Sequence, residues 1–160
     1  MWLADISYLP TAEGFLYFAA MKDLCTKKIV GWSMSQTIDA QLAVDALDMA
    51  IARQRPPAGL IVHSDRGSQY ASAAFRGKLA EHQMRQSMSR RGNCYDNAPM
   101  ESFFSSLKGE YLEHQRFATH GAARTAVFTY VETFYNRVRL HSSIGYRPPN
   151  EFEMMLKQAA

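Results

Sequence analysis

Three acidic residues stand where a carboxylate can do chemistry. Asp5 interrupts Trp2-Leu3-Ala4-Asp5-Ile6-Ser7-Tyr8-Leu9, where alternation sets it among residues that seek burial. An ionised carboxylate there costs several kcal/mol unless it is paired or holds a metal. Asp65 ends the run Leu60-Ile61-Val62-His63-Ser64 and is followed by the turn residues Arg66-Gly67. Glu101 opens a helix, where the dipole favours the ionised form. Two strand acids and one helix acid suit a divalent metal such as Mg²⁺, which takes few carboxylates and leaves room for phosphate oxygens. The alternative is three unrelated caps or salt-bridge partners.

The elements that must position these acids follow from periodicity. Residues 2–9 read as a strand, Pro10 to Gly14 as a turn, Phe15–Met21 and Ile29–Met34 as two further strands of an antiparallel meander. Ala43, Val44, Leu47, Ala50 and Ile51 share a helix face, which Pro56-Pro57 and Gly59 end; Asp45 and Asp48 read as solvated. Leu60–Ser64 reads as a central strand buried on both sides. A helix over 73–82, a short strand at Gln86–Ser89 and a polar stretch 90–97 precede the helix from about Pro99, with Phe103, Leu107 and Tyr111 inward. A long helix over 121–139 carries Ala123, Val127, Tyr130, Val131 and Phe134, and 150–157 forms a last short helix. The order is β-β-β-α-β-α-β-α-α: an α/β chain whose five-stranded mixed sheet, flanked by helices, can set strand 1 beside strand 4 and Asp5 beside Asp65.

Composition agrees with a single globular domain: 160 residues, 47% hydrophobic and 12% aromatic. No run approaches the roughly 18 apolar residues of a membrane helix, and Trp2 and Asp5 break any signal-peptide core. Cys25 and Cys94 lack metal-binding spacing and read as reduced structural thiols of a cytosolic protein. The net charge of +3 is modest for a polyanion binder, but metal bound at three acids would neutralise their negative charges.

The segments WLADISY (2–8), Ile29-Val30-Gly31-Trp32, His63-Ser64-Asp65-Arg66-Gly67-Ser68-Gln69-Tyr70, GNCYDNAPMESFF (92–104) with Leu107-Lys108, and Tyr135-Asn136-Arg137 followed by His141-Ser142 resemble the catalytic core of bacterial insertion-sequence transposases of the DDE type, relatives of retroviral integrases. The resemblance covers nearly the whole chain. It implies a ribonuclease H-like fold and metal-dependent cleavage and 3′-hydroxyl strand transfer at element ends. By matching positions, Asp5, Asp65 and Glu101 form the catalytic, metal-binding triad, which is expected to hold two Mg²⁺ or Mn²⁺ ions with Asp5 shared. DNA (element ends and target) is the implied partner, with homo-oligomers forming on it and no membrane involved. A cytoplasmic bacterial protein, nucleoid-associated when acting, follows. Such transposases carry a helical DNA-recognition domain upstream, and here the first strand begins at residue 2. The chain (1–160) is therefore expected to be the core of a longer protein or the product of a gene fragment.

Around the triad, Arg90 and Arg91 with Tyr95 read as a phosphate-contacting loop, the alternative being a solvated turn. Lys108 lies about two turns beyond Glu101 and either reaches a phosphate or is a plain surface lysine. His63 shares a strand face with Asp65 and either orients a ligand or is a satisfied core histidine. Asp96 reads as organising the loop, Asp23 as a further acid near the matching motifs, and Arg137, Arg139 and Arg147 as extensions of the DNA path. Tyr135 and Ser64 lack the clustered arginines and histidine of a covalent recombinase. Two rivals remain: a ribonuclease H-like nuclease that cuts without joining, and a silent DNA-binding or multimerisation fragment.

Overall fold

The chain opens with a strand, β1 (Trp2–Thr11), that runs through Pro10 instead of stopping before it. The Ala12 amide donates to the Phe117 carbonyl (2.9 Å), away from the neighbouring hairpin strand. By period-two alternation the nitrogen of Pro10 faces that same side, so its missing N–H breaks no ladder bond. This computed structural model describes residues 1–160, the side chains of Cys94 and Tyr95 excepted, so the readings of Tyr95 and of the Cys94 thiol lie outside the described residues.

β2 (Gly14–Asp23) returns antiparallel to β1, and β3 (Ile29–Ser35) antiparallel to β2. The crossover helix α1 (Ala40–Gln54), capped by Asp39 at the Leu42 amide, leads to β4 (Ile61–Ser64), which lies parallel to β1. A short helix α2 (Ser68–Ala71), unforeseen from sequence, and α3 (Ala73–Glu81) lead to β5 (Arg85–Met88), parallel to β4 and beginning one residue before its expected start. The sheet order is β3-β2-β1-β4-β5, a five-stranded mixed sheet with strand 1 beside strand 4.

Two hydrophobic layers sandwich this sheet. Trp2, Ala4, Ala19, Met21, Val30 and Val62 pack under α1 and under Phe75 and Leu79 of α3. Leu3, Leu9, Phe18, Ala20 and Ile29 pack under α4 (Ala98–Leu107) and α5 (His120–Phe128). Asp5 alternates with Leu3 and so faces the α4 layer. β4 is not buried on both faces as expected: Val62 and Ser64 are buried, whereas Ile61 and His63 are half-buried. The core of the second layer takes no described residue from β4 or β5. Where β3 meets α1, Gly31 is required, because a Cβ there would overlap the Ala46 carbonyl oxygen and crowd Ala50.

Both long helices change pitch. α4 continues as a π-helical segment, Lys108–Leu112, and α5 as another, Thr129–Tyr135. The expected uniform helix over 121–139 therefore shifts its inner face. The Asn136 amide reaches back five residues to the Val131 carbonyl (3.1 Å), Tyr135 is buried, and Phe134, placed by 3.6-residue periodicity in the stripe, is 38% exposed. The final helix α6 (Pro149–Ala159) is longer than expected. Cys25 is a free, exposed thiol. Among the described residues no helix is long and apolar enough to cross a membrane.

Candidate active site

β1 and β4 pair through Trp2↔Val62 and Leu3↔His63, and two further residues of that parallel register set Asp5 opposite Asp65. Glu101 stands in the first turn of α4, on the layer that Asp5 faces. All three acids line one cavity of about 500 Å³. Asp5 is half-buried and the other two are exposed. Burial chiefly, then the negative charges of Asp65 and Glu101, push the Asp5 carboxyl up to about 6, against one opposing hydrogen bond from the Ile6 amide (2.9 Å). One Asp65 oxygen accepts from the Gly67 amide (2.8 Å), which fixes the turn after β4. Among the described residues no three acid, histidine or cysteine side chains gather closely enough to close on one ion. The carboxylates thus share a cavity without meeting at one point.

The cavity also contains residues that sequence reasoning passed over. Asn97, buried, precedes α4 and donates to the Ala4 carbonyl (3.4 Å), while its Oδ1 has no partner. Its only signal was its place in the GNCYDNAPMESFF segment. Arg66 donates to the Ser89 carbonyl (2.9 Å), joining the end of β4 to the residue after β5. An all-oxygen donor set, a carboxyl raised chiefly by burial and further by neighbouring negative charge, and an orphaned amide oxygen fit a hard divalent cation with its surrounding waters.

The remaining predicted residues divide. Arg90 and Arg91 are exposed and line the same cavity. Asp96 accepts from the Arg90 amide (3.1 Å), the contact of a residue that shapes the loop. His63 sits between the hydroxyls of Ser87 (2.8 Å) and Ser89 (3.2 Å), so both ring nitrogens are satisfied. Lys108 lies over the Tyr8 ring (5.4 Å), lining a separate groove of about 470 Å³ instead of the acidic cavity. Asp23 closes its own turn at the Cys25 amide (2.8 Å). Arg139 is held by Glu110 (2.6 Å) and Arg147 lies 3.7 Å from Glu151, while Arg137 is exposed.

Two family models, each described as an integrase core domain, match residues 1–94 and 82–149. The chain belongs to the integrase core domain family. It is 49% identical over 152 residues to the Transposase InsF for insertion sequence IS3A of Escherichia coli (strain K12), a match covering 95% of this chain and 53% of that protein. An insertion element IS600 uncharacterized 31 kDa protein of Shigella sonnei is 48% identical over 160 residues, covering all of this chain and 59% of the relative. The chain thus spans somewhat over half the length of these curated relatives. Among solved structures, the HTLV-2 integrase catalytic core domain in complex with magnesium (trimeric form) superposes with a TM-score of 0.70 at 14% identity, covering 94% of this chain and 93% of that one. The fold is ribonuclease H-like, and the present chain has its mixed sheet in the order β3-β2-β1-β4-β5.

Proposed function

We propose that this chain is the catalytic core of an insertion-element transposase that cleaves DNA at element ends and joins the freed 3′-hydroxyl to a target. One observation carries the reading: Asp5, Asp65 and Glu101, from two strands and a helix, line one cavity walled by Arg66, Arg90 and Arg91. The kinship with IS3 transposases supplies the class of substrate.

Asp5, Asp65 and Glu101 would hold divalent metal, Mg²⁺ as for the integrase core described in complex with magnesium, as two ions with Asp5 shared. When bound, the metal supplies positive charge that activates the attacking oxygen and stabilises the leaving one. Arg90 and Arg91 hold backbone phosphates beside the acids. Lys108, over Tyr8, contacts the strand farther along, at the groove it lines. The Gly67 amide orients the Asp65 carboxylate and the Asn97 tie sets α4 against β1, so the chain contributes chiefly positioning and charge. Its nucleophile is water in cleavage and the 3′-hydroxyl in joining, so no side chain forms a covalent bond. Assembly into oligomers on DNA belongs to the same proposal.

The test is Asp5→Asn in the longest natural protein that carries this core. Nicking and joining with Mg²⁺ should fall below detection. The metal-free variant should be as stable as the parent or firmer, because one of three crowded negative charges is gone. Near-normal strand transfer by the variant would end the assignment. Cutting without any joined product by the parent would make the protein a nuclease.

A further inference from the structure

On the other side of the first turn of α4 lies a second cavity, of about 460 Å³, with no acidic residue in its lining. Lys22, Lys27, Arg139, His141, Ser142 and Ser143 line it, together with Pro99 and Ser102 from the turn that carries Glu101. We propose that this cavity is an oxyanion site that takes a single phosphate group.

Lys22 carries most of the argument. It is only 5% exposed, and its ammonium donates to the Pro99 carbonyl (3.2 Å) with no carboxylate partner among the described residues. A buried ammonium that lacks a counter-ion is costly, and a bound anion removes the cost. Burial first, then Lys27 and Arg139, bring the Lys22 ammonium down to about 8, so the positive charges crowd one another. Glu110 offsets one of them, being bound to Arg139 (2.6 Å) from outside the lining.

His141 gives an independent sign. Its Nε2 is buried and has no hydrogen-bond partner, although its ring packs edge-on to Tyr135 (5.0 Å between centroids). Orphaned buried nitrogens are rare in folded proteins and call for an absent partner. A phosphate oxygen in the cavity supplies that acceptor, while the Ser142 and Ser143 hydroxyls give further donors. The two cavities share the first turn of α4: Glu101 opens on the acidic one, Pro99 and Ser102 on the cationic one. A DNA backbone phosphate is one source of the group, and that source rests on the proposed transposase reading; free inorganic phosphate is the other.

The test follows the His141 ring by nitrogen-15 NMR in this chain during titration with inorganic phosphate at constant ionic strength. Saturable movement of the Nε2 resonance is expected, with affinity reduced roughly tenfold or more in Lys22→Met and several-fold in Ser142→Ala, the loss of charge-assisted and neutral donors respectively. Ser142 is exposed, so its variant keeps the test open should Lys22→Met fail to fold. Asp65→Asn should leave this phosphate affinity unchanged. No His141 response, or a response the same in parent and Ser142→Ala, would overturn the site. A short duplex that moves the same resonance and is displaced by phosphate identifies the DNA backbone as the source. A silent duplex beside a phosphate response identifies the free anion. Failure of the pocket leaves the Asp5→Asn assay untouched, so the two readings fall separately.

Discussion

The amide of Asn97 donates to the Ala4 carbonyl across 3.4 Å, joining the residue before α4 to the residue before Asp5. One buried side chain therefore sets how the helix bearing Glu101 sits against the strand bearing Asp5. Its second polar atom, Oδ1, is buried without a partner in a residue that lines the acidic cavity. Asn97 is accordingly a positioning residue.

Asn97→Ala should cost about 1 kcal/mol of stability, the net worth of one hydrogen bond. Its larger effect should be on the metal, with Mn²⁺ affinity falling roughly tenfold or more as Asp5 and Glu101 lose their fixed relation. Urea unfolding without metal and a calorimetric Mn²⁺ titration separate the two effects. Lowered stability with unchanged Mn²⁺ affinity would reduce Asn97 to a structural residue.

Asn136 performs a second tie, away from the acids. Its side chain accepts from the Ile29 amide (2.9 Å) and donates to the Ile29 carbonyl (3.0 Å), imitating a strand partner at the start of β3. The residue is buried, and its own carbonyl accepts from Asn150 at the start of α6. Asn136→Ala strands two buried backbone groups and should destabilise the fold by about 2–5 kcal/mol. Denaturant midpoints measure this directly; a loss below about 1 kcal/mol would mean that water replaces the amide.

How far the sequence told this in advance depends on the range of the interaction. Asp5 beside Asp65 was readable, because alternation fixes the face of Asp5 and a turn directly follows Asp65 at the end of β4. The π-helical turns were not, because 3.6-residue periodicity has no place for an extra residue, and it put Phe134 inward where Tyr135 belongs. That same register lets Arg139 reach Glu110 on the other π segment, so a residue read as a DNA contact is already paired. Lys22 lay one residue past the strand expected to end at Met21, and only β2 continuing to Asp23 carries it inward under α4. Neither long-range pairing leaves a local pattern.

The half-buried ring of His141 makes stability depend on pH. Burial first, then Arg139, Lys22 and Lys27, lower its pKa to about 4 from 6.5, against a smaller opposing pull from Glu110. The unfolded chain therefore binds the proton more readily than the folded one throughout that window. Stability is fully present above pH 6.5 and is lost as pH falls towards 4. The loss should be of the order of 2 kcal/mol once the half-exposed ring is allowed for. Asp5, raised to about 6, acts in the opposite direction, gaining stability as pH falls through that value. The readout is therefore the difference between the parent and His141→Gln in urea midpoints across the window. Parallel curves for the two proteins would show that the ring titrates normally in the fold.

Arg90 and Arg91 separate positioning from specificity. Both are exposed on the wall of the acidic cavity, and the Asp96 carboxylate binds the Arg90 backbone amide, which leaves the Arg90 guanidinium unclaimed by that interaction. Arginines that bind phosphates read no sequence and release counter-ions. The double variant Arg90→Gln, Arg91→Gln should weaken DNA binding alike for element-end and scrambled duplexes. It should also reduce the slope of log affinity against log salt by roughly 2, about 0.9 for each phosphate that is no longer neutralised. Both duplexes, titrated at several salt concentrations, give slope and specificity together. An unchanged slope would place these arginines off the DNA, and a weakening confined to the element-end duplex would make them readers of bases.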